Sequence, residues 1–352
     1  MKRLSLIVLL VSIMTLGVAN ATCTWDGSDG NHLWSDGDNW TSSSVSPPAT
    51  WPPSSLTETM ELPLTDWTNL DANWQCGILL FQGDSTKSPV LNVNQNYTLT
   101  VEKSSTELLS LSKAGCAGTV NQSNGKVIVR QNSGFTGSGE LRMNNSGAVG
   151  SSGTYNLSGG ILDVEVINKG AKARTATFNG TGGTLIVHKS IINWGSVSEN
   201  ASYGFKQGGC LFAPAGESAI GSILAGSSGK ETDYIMDSTS KVVFDLGNGN
   251  PDPAVSVNDK ITSYGNFTVD GELQVNLMGT YSVGDKWNVW KIDLAVIGTY
   301  FGSGAFDTLP AYIQVNWLTG SGAHTLQLEY IPEPATLVLL GLGGLFAARR
   351  KK

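Results

Sequence analysis

Histidine is nearly absent from these 352 residues: only His32, His188 and His324 occur, and no two stand at metal-ligating spacing. Isolated histidines of this kind are read as structural or solvated, and no Ser or Cys motif accompanies them. G-x-S-x-G, a phosphate loop and H-E-x-x-H are all missing, which removes nucleophile-elbow, nucleotide-cradling and zincin chemistry. Four cysteines occur without a C-x-x-C, so neither a zinc knuckle nor a thioredoxin-like pair is expected. Charge is also scarce, at 14% of residues. No metal and no cofactor is expected.

What is present begins at the ends. Lys2 and Arg3 precede an apolar stretch, Leu4 to Val18, and Ala19-Asn20-Ala21 gives the small-x-small pattern of a signal-peptidase site, so residues 1–21 read as a signal peptide. Thr22 before Cys23 departs from a lipobox, and lipidation is not expected. At the other end Pro332-Glu333-Pro334 leads into fourteen apolar residues, 335–348, and then Arg349, Arg350, Lys351 and Lys352. As a helix that run measures about 21 Å, short of a hydrocarbon core of roughly 30 Å. It suits a temporary transmembrane helix, with its cations at the cytoplasmic headgroups.

These tail residues closely resemble the PEP-CTERM sorting signal of Gram-negative bacteria. The resemblance implies recognition of Pro332, Glu333 and Pro334 by an exosortase-like membrane protease, removal of the tail, and release toward the cell surface or an exopolysaccharide matrix. Membrane contact is then expected only through the C-terminal helix before processing. With both ends removed, 16 basic and 28 acidic residues remain, a net charge of −12. Such a surface repels nucleic acid, which is not expected as a partner. Export meets an oxidising compartment, so Cys23, Cys76, Cys116 and Cys210 allow two disulfides in any of three pairings.

The middle of the chain repeats. Thr119–Val129, Thr154–Val164 and Thr177–Val187 align without a gap, and Tyr203–Ala213 fits with one extra residue before its glycines. The columns have physical roles. Val120, Tyr155 and Phe178 supply an apolar residue entering a turn. Asn121, Asn156 and Asn179 can stack as an amide ladder. Gly125, Gly160, Gly183 and Gly209 suit corners needing φ > 0. Apolar alternation follows each corner, as in Leu162/Val164. Stacked columns are what a parallel β-helix produces, while hairpins in a sandwich are the alternative.

These segments resemble the passenger-type repeats of autotransporter-like β-helical surface proteins, over about residues 76–246. The resemblance implies an all-β, right-handed, single-stranded parallel β-helix. Residues 22–75 hold six of the ten tryptophans and four prolines (Pro47, Pro48, Pro52, Pro53), and read as an N-terminal cap. From about Lys241 the expected strands lengthen, at 241–246, 267–278 and 287–294, and residues 247–331 read as terminal coils or a small β-module. Residues 332–352 form the sorting signal.

Three candidate chemistries remain. Asp26, Asp29, Asp36 and Asp38 fail the EF-hand pattern, since Trp40, Thr41 and Pro47 stand at its fifth, sixth and twelfth positions. Asp-Gly turns account for them instead. Asp163 and Glu165 share one face of a strand, with Lys169 and Arg174 nearby, but Ile128 and Ile186 occupy the Asp163 column, so the acidic pair reads as solvated surface. Trp25, Trp34 and Trp40 are candidates for stacking on polysaccharide rings, against simple cap packing. The expectation is a non-enzymatic structural or adhesive surface protein, the alternative being a β-helical polysaccharide lyase or hydrolase.

Overall fold

The structure, a computed structural model, describes residues 22–42, 59–63, 66–103, 107–132, 138–145, 151–170, 175–194, 205–216, 219–227, 230–265, 267–293, 300–302, 304–320 and 323–332. It is all-β, with one 3-10 turn at Gly37–Asn39. Most strands join three parallel ladders. The first contains Trp67–Asn69, Val90–Val93 and Ala117–Gln122, then the opening portions of the long strands Ser152–Gly170 and Thr175–Ile192. It continues through Phe205–Gln207, Tyr234–Met236, Phe267–Val269 and Tyr300–Phe301. The second holds Trp74–Cys76, Thr98–Lys103, Lys126–Gln131, the middles of the long strands, Leu211–Pro214, Lys241–Leu246 and Glu272–Leu277. The third runs from Thr22–Trp25 through Thr59–Leu62, Ile78–Gln82, Glu107–Lys113 and Glu140–Asn144 to the ends of the long strands. Ser222–Ser227, Lys260–Ser263 and Lys286–Asp293 complete it. The chain visits the first, second and third ladders in turn, and each circuit pairs with the circuits on either side.

Glycine places the bends between the first and second ladders. Gly125, Gly160, Gly183 and Gly209 have φ of 64°, 72°, 74° and 76°, a region that penalises any Cβ. A Cβ at Gly160 would also collide with the carbonyl oxygen of Gly125 in the preceding circuit. The aligned columns are paired columns: Thr119, Thr154 and Thr177 lie side by side, as do Val120, Tyr155 and Phe178. The fourth segment differs from expectation. Its entering apolar residue is Phe205, and the register to the preceding circuit is the same before and after the corner (Gly180 with Gln207, Leu185 with Phe212), so no residue is inserted. The corner glycine, Gly209, comes one position earlier, and Cys210 stands opposite Gly183. The expected strand 267–278 divides at Gly271, where a Cβ would strike the Ser240 carbonyl.

Period-two alternation sends one face of every strand inward. The first ladder contributes a file of rings: Tyr155–Phe178, Phe178–Phe205 and Phe205–Tyr234 stack at 6.0, 4.7 and 5.6 Å between centroids. The others contribute aliphatic files such as Leu99, Val127, Leu162 and Leu185, all fully buried. Two buried glutamines serve the corners. Gln122 Nε2 donates to the Gly125 and Ile161 carbonyls while its Oε1 accepts from the Tyr155 hydroxyl at 2.6 Å. Gln207 repeats this with Cys210, Lys241 and Tyr234. Each links two successive circuits, and its own buried amide is satisfied by carbonyls on both sides of the corner.

At the N-terminal end Thr22–Trp25 pairs antiparallel with Trp40–Ser42 and parallel with Thr59–Leu62. Parallel pairing is thus not confined to 76–246. At the other end Lys286–Asp293 is followed on the third ladder by an antiparallel pair, Ile313–Gly320 and Ala323–Tyr330. Among the described residues no helix is long and apolar enough to cross a membrane. The expected signal peptide, its Ala19 and Ala21, the prolines at 47–53 and the tail from Glu333 lie outside the described residues.

Candidate functional site

The outward side of the first ladder carries a continuous amide ladder. Asn92, Asn121, Asn156 and Asn179 each donate from Nδ2 to the Oδ1 of the asparagine one circuit before, at 3.3, 3.0, 2.8 and 2.8 Å, the first acceptor being Asn69. The sequence repeat identifies the last three rungs. Asn69 and Asn92 escape it because their circuits, Trp67–Asn69 and Val90–Val93, lack the Gly-Gly corner that anchors the alignment. Beside this row runs another, Trp67, Val90, Thr119, Thr154 and Thr177, pointing the same way.

The outward side of the second ladder carries a charge cluster. Asp163 pairs in register with Ile128 and Ile186, as the columns require. It is not a solvated surface carboxylate, however: it is 2% exposed. Arg130 donates through Nη2 at 2.7 Å and Nε at 3.3 Å, Lys126 Nζ lies at 3.2 Å and His188 Nε2 at 2.8 Å. Burial pushes this carboxyl up, but hydrogen bonds from His188 and Arg130 and the Arg130 charge outweigh it, holding the pKa well below the ordinary range. Glu165 accepts from the backbone N–H groups of Gln131 and Gly139 and pairs with Lys189 at 3.0 Å. Its pKa is also lowered, despite burial, by those bonds. Arg130, Lys126 and His188 are the partners that sequence reasoning missed, because they come from strands one circuit away on either side. Of the two cations expected, Lys169 is 1% exposed, on the third ladder, and Arg174 lies outside the described residues.

The tryptophan expectation requires correction. Trp25, Trp34 and Trp40 are only 2%, 0% and 3% exposed. Trp40 meets Trp25 and Trp34 edge-to-face at 5.1 and 4.9 Å, and its Nε1 donates to the Trp34 carbonyl at 2.9 Å. Their ring faces pack against each other and cannot receive a sugar. Trp74 is buried as well, and Trp51 lies outside the described residues. Trp67 is different: it is 45% exposed at the head of its row, with one face stacked on His32 at 4.0 Å. His32 is fixed there by its Nδ1, 3.0 Å from the Trp67 carbonyl oxygen and 3.3 Å from Asp66 Oδ1.

The two-disulfide framework is not formed. Cys116 and Cys210 are buried thiols, and the Cys116 Sγ donates to the Phe81 carbonyl at 3.0 Å. They sit about three rungs apart, on the order of 14 Å at about 4.8 Å per rung, whereas a disulfide tolerates roughly 7 Å between Cα atoms. Burial pushes the Cys210 thiol up to about 12. Cys23 and Cys76 are also buried, on the third and second ladders. Near the N-terminus Asp36 caps the Gly37–Asn39 turn, accepting from the Asp38 N–H, and both Asp29 and Asp36 accept from Asn31. Among the described residues no group of three or more His, Cys, Asp or Glu side chains is placed to hold a metal ion.

An all-β stack and a motif-bearing terminus define a class rather than an activity. Residues 331–352 match the PEP-CTERM protein-sorting motif. That motif marks an exported protein of Gram-negative bacteria and is a substrate signal for sorting by an exosortase-like system. No curated protein matches the chain.

Proposed function

We propose that this chain is a right-handed, single-stranded parallel β-helix that serves a structural or adhesive role at the cell surface or in an exopolysaccharide matrix. The cyclic visiting of three parallel ladders supports that architecture. In this reading the apolar tail tethers the rod to the inner membrane until the exosortase-like protease removes it. The observation that carries the role is the side-chain linkage of successive circuits on a broad outward face, from Asn69 to Asn179. Repeated groups on a stiff support favour weak, multivalent contact over chemistry at one point.

The state of Asp163 argues against its serving as the proton donor of a glycosidase. A glycosidase acid needs a carboxyl poised to give up a proton near working pH. Asp163 is clamped by Arg130, Lys126 and His188, with its pKa lowered. Two experiments test the proposal. Replacing Glu333 with Ala in the native host should leave a full-length, membrane-held form that does not reach the surface, and normal release would count against motif recognition. Purified protein should turn over none of a panel of acidic and neutral polysaccharides. Turnover that disappears in Asp163→Ala would overturn the structural reading.

A further inference from the structure

The two outward rows of the first ladder contain no ionisable side chain from Trp67/Asn69 to Thr177/Asn179. One row reads Trp67, Val90, Thr119, Thr154, Thr177; the other is five asparagines. Residues 22–331 carry a net charge of −12, while none of these ten outward positions is charged. The cationic residues Lys126, Arg130 and Lys189 lie around the corner on the second ladder.

Each interior asparagine spends one N–H and one lone pair on its neighbours. An amide has two donors and about two acceptor sites, so one of each remains per rung. The strip thus offers a donor–acceptor pair every ~4.8 Å, with threonine hydroxyls alongside on three rungs. A sugar hydroxyl is itself one donor and one acceptor. At the head of the strip Trp67 is 45% exposed, and its stacking on His32 holds the indole in place without side-chain ordering on binding. An indole face covers the apolar C–H side of a sugar ring, while the amides serve its edge.

We propose that this strip is a binding track for a neutral, linear, hydroxyl-rich polysaccharide. The polymer lies along the ladder, across the strands, with one ring on Trp67 and successive units over the asparagine and threonine rungs. The match of an uncharged strip to an uncharged polymer selects this occupant over an acidic glycan. The inference rests on the surface reading above and names its partner.

The test is affinity electrophoresis of the full chain in nonionic detergent, in gels containing galactomannan or hydroxyethyl cellulose, with alginate as the acidic comparator. The neutral polymers should retard the wild type, with little change between low and high salt. Thr177→Lys, at an exposed position, and Thr154→Lys should each weaken retardation at least tenfold, and Trp67→Ala several-fold. Arg130→Ala should leave it unchanged. Unfolding midpoints near wild type confirm that each variant is folded, and Thr177→Lys alone suffices if Thr154→Lys is not. No retardation by either neutral polymer overturns the proposal, as does equal retardation of wild type and both lysine variants. Alginate-only retardation lost in Arg130→Ala overturns it in favour of the charge cluster. Self-association lost in Thr177→Lys, without glycan binding, overturns it in favour of a second copy of the chain. Surface immunolabelling of wild type is scored separately. A surface protein without glycan binding fails this inference alone, and a glycan binder absent from the surface fails the localisation reading alone.

Discussion

Asn156 donates to Asn121 across one circuit at 2.8 Å and accepts in turn from Asn179, so a single side chain joins three successive turns of the chain. Removing it breaks two bonds. Asn156→Ala should cost about 1–3 kcal/mol, at roughly 1 kcal/mol per bond. Asn179→Ala, which breaks one ladder bond, should cost about half as much. Denaturant unfolding of the two variants side by side checks the ratio.

Corner geometry gives a sharper effect. Gly160 combines φ of 72° with a closely packed backbone in the circuit below. Gly160→Ala should destabilise by roughly 2–5 kcal/mol, from the left-handed penalty plus forced displacement of the Asn124–Gly125 backbone. Thermal melting of Gly160→Ala against Gly30→Ala separates these causes. Gly30 also has positive φ, at 70°, but has open space where a Cβ would stand.

Asp163 predicts a response to acid. Its folded pKa is depressed, so its contribution is present above the ordinary value of 3.8 and is lost as pH falls toward the folded value. Asp163→Asn should cost about 1–3 kcal/mol at pH 7, a buried-pair loss discounted for the partly exposed Arg130 and Lys126. The difference from wild type should shrink below pH 4. Urea titrations at pH 7 and pH 3 measure it.

Asp259 predicts the opposite sign. It is 1% exposed and its oxygens accept from the Gly221 and Asp245 N–H groups. Burial, and secondarily the Asp245 charge, raise its pKa to about 7, against those hydrogen bonds. A raised acid disfavours folding progressively as pH climbs from 3.8 to about 7, so this group lowers stability across that window. Asp245→Asn should make the decline shallower without abolishing it, since burial remains. Asn276, which donates to Asp245 Oδ1 at 2.9 Å, can turn its amide to accept the new N–H. Melting temperature against pH for both proteins provides the check.

Much of the stack was legible in the repeats. The Thr, apolar and Asn columns, the four corner glycines and the Ile128/Asp163/Ile186 register all follow from one alignment. The alignment failed where glycine spacing ceased to mark the corner, at Cys210, and where circuits lacked the Gly-Gly pair, at Asn69 and Asn92. The charge cluster was illegible for another reason. Lys126 and Arg130 belong to one circuit, Asp163 to the next and His188 to the one after, and separations of 37, 33 and 25 residues carry no periodic signal. Burial of tryptophan was equally hidden. Composition concentrates six of them near the N-terminus, but only packing separates the mutually covered Trp25, Trp34 and Trp40 from the half-open Trp67.

The order in which the ladders are visited also bears on how the chain comes to be folded. Among the described residues the interior parallel strands pair with the circuit before and the circuit after, and none pairs with anything more distant along the stack. A polypeptide that emerges N-terminus first from a membrane pore therefore meets each partner in the order of its arrival. Every completed turn adds buried rings and aliphatic side chains that must be exposed again before the chain can slide back. Local, nearest-neighbour assembly of this kind lets folding propagate circuit by circuit along the stack.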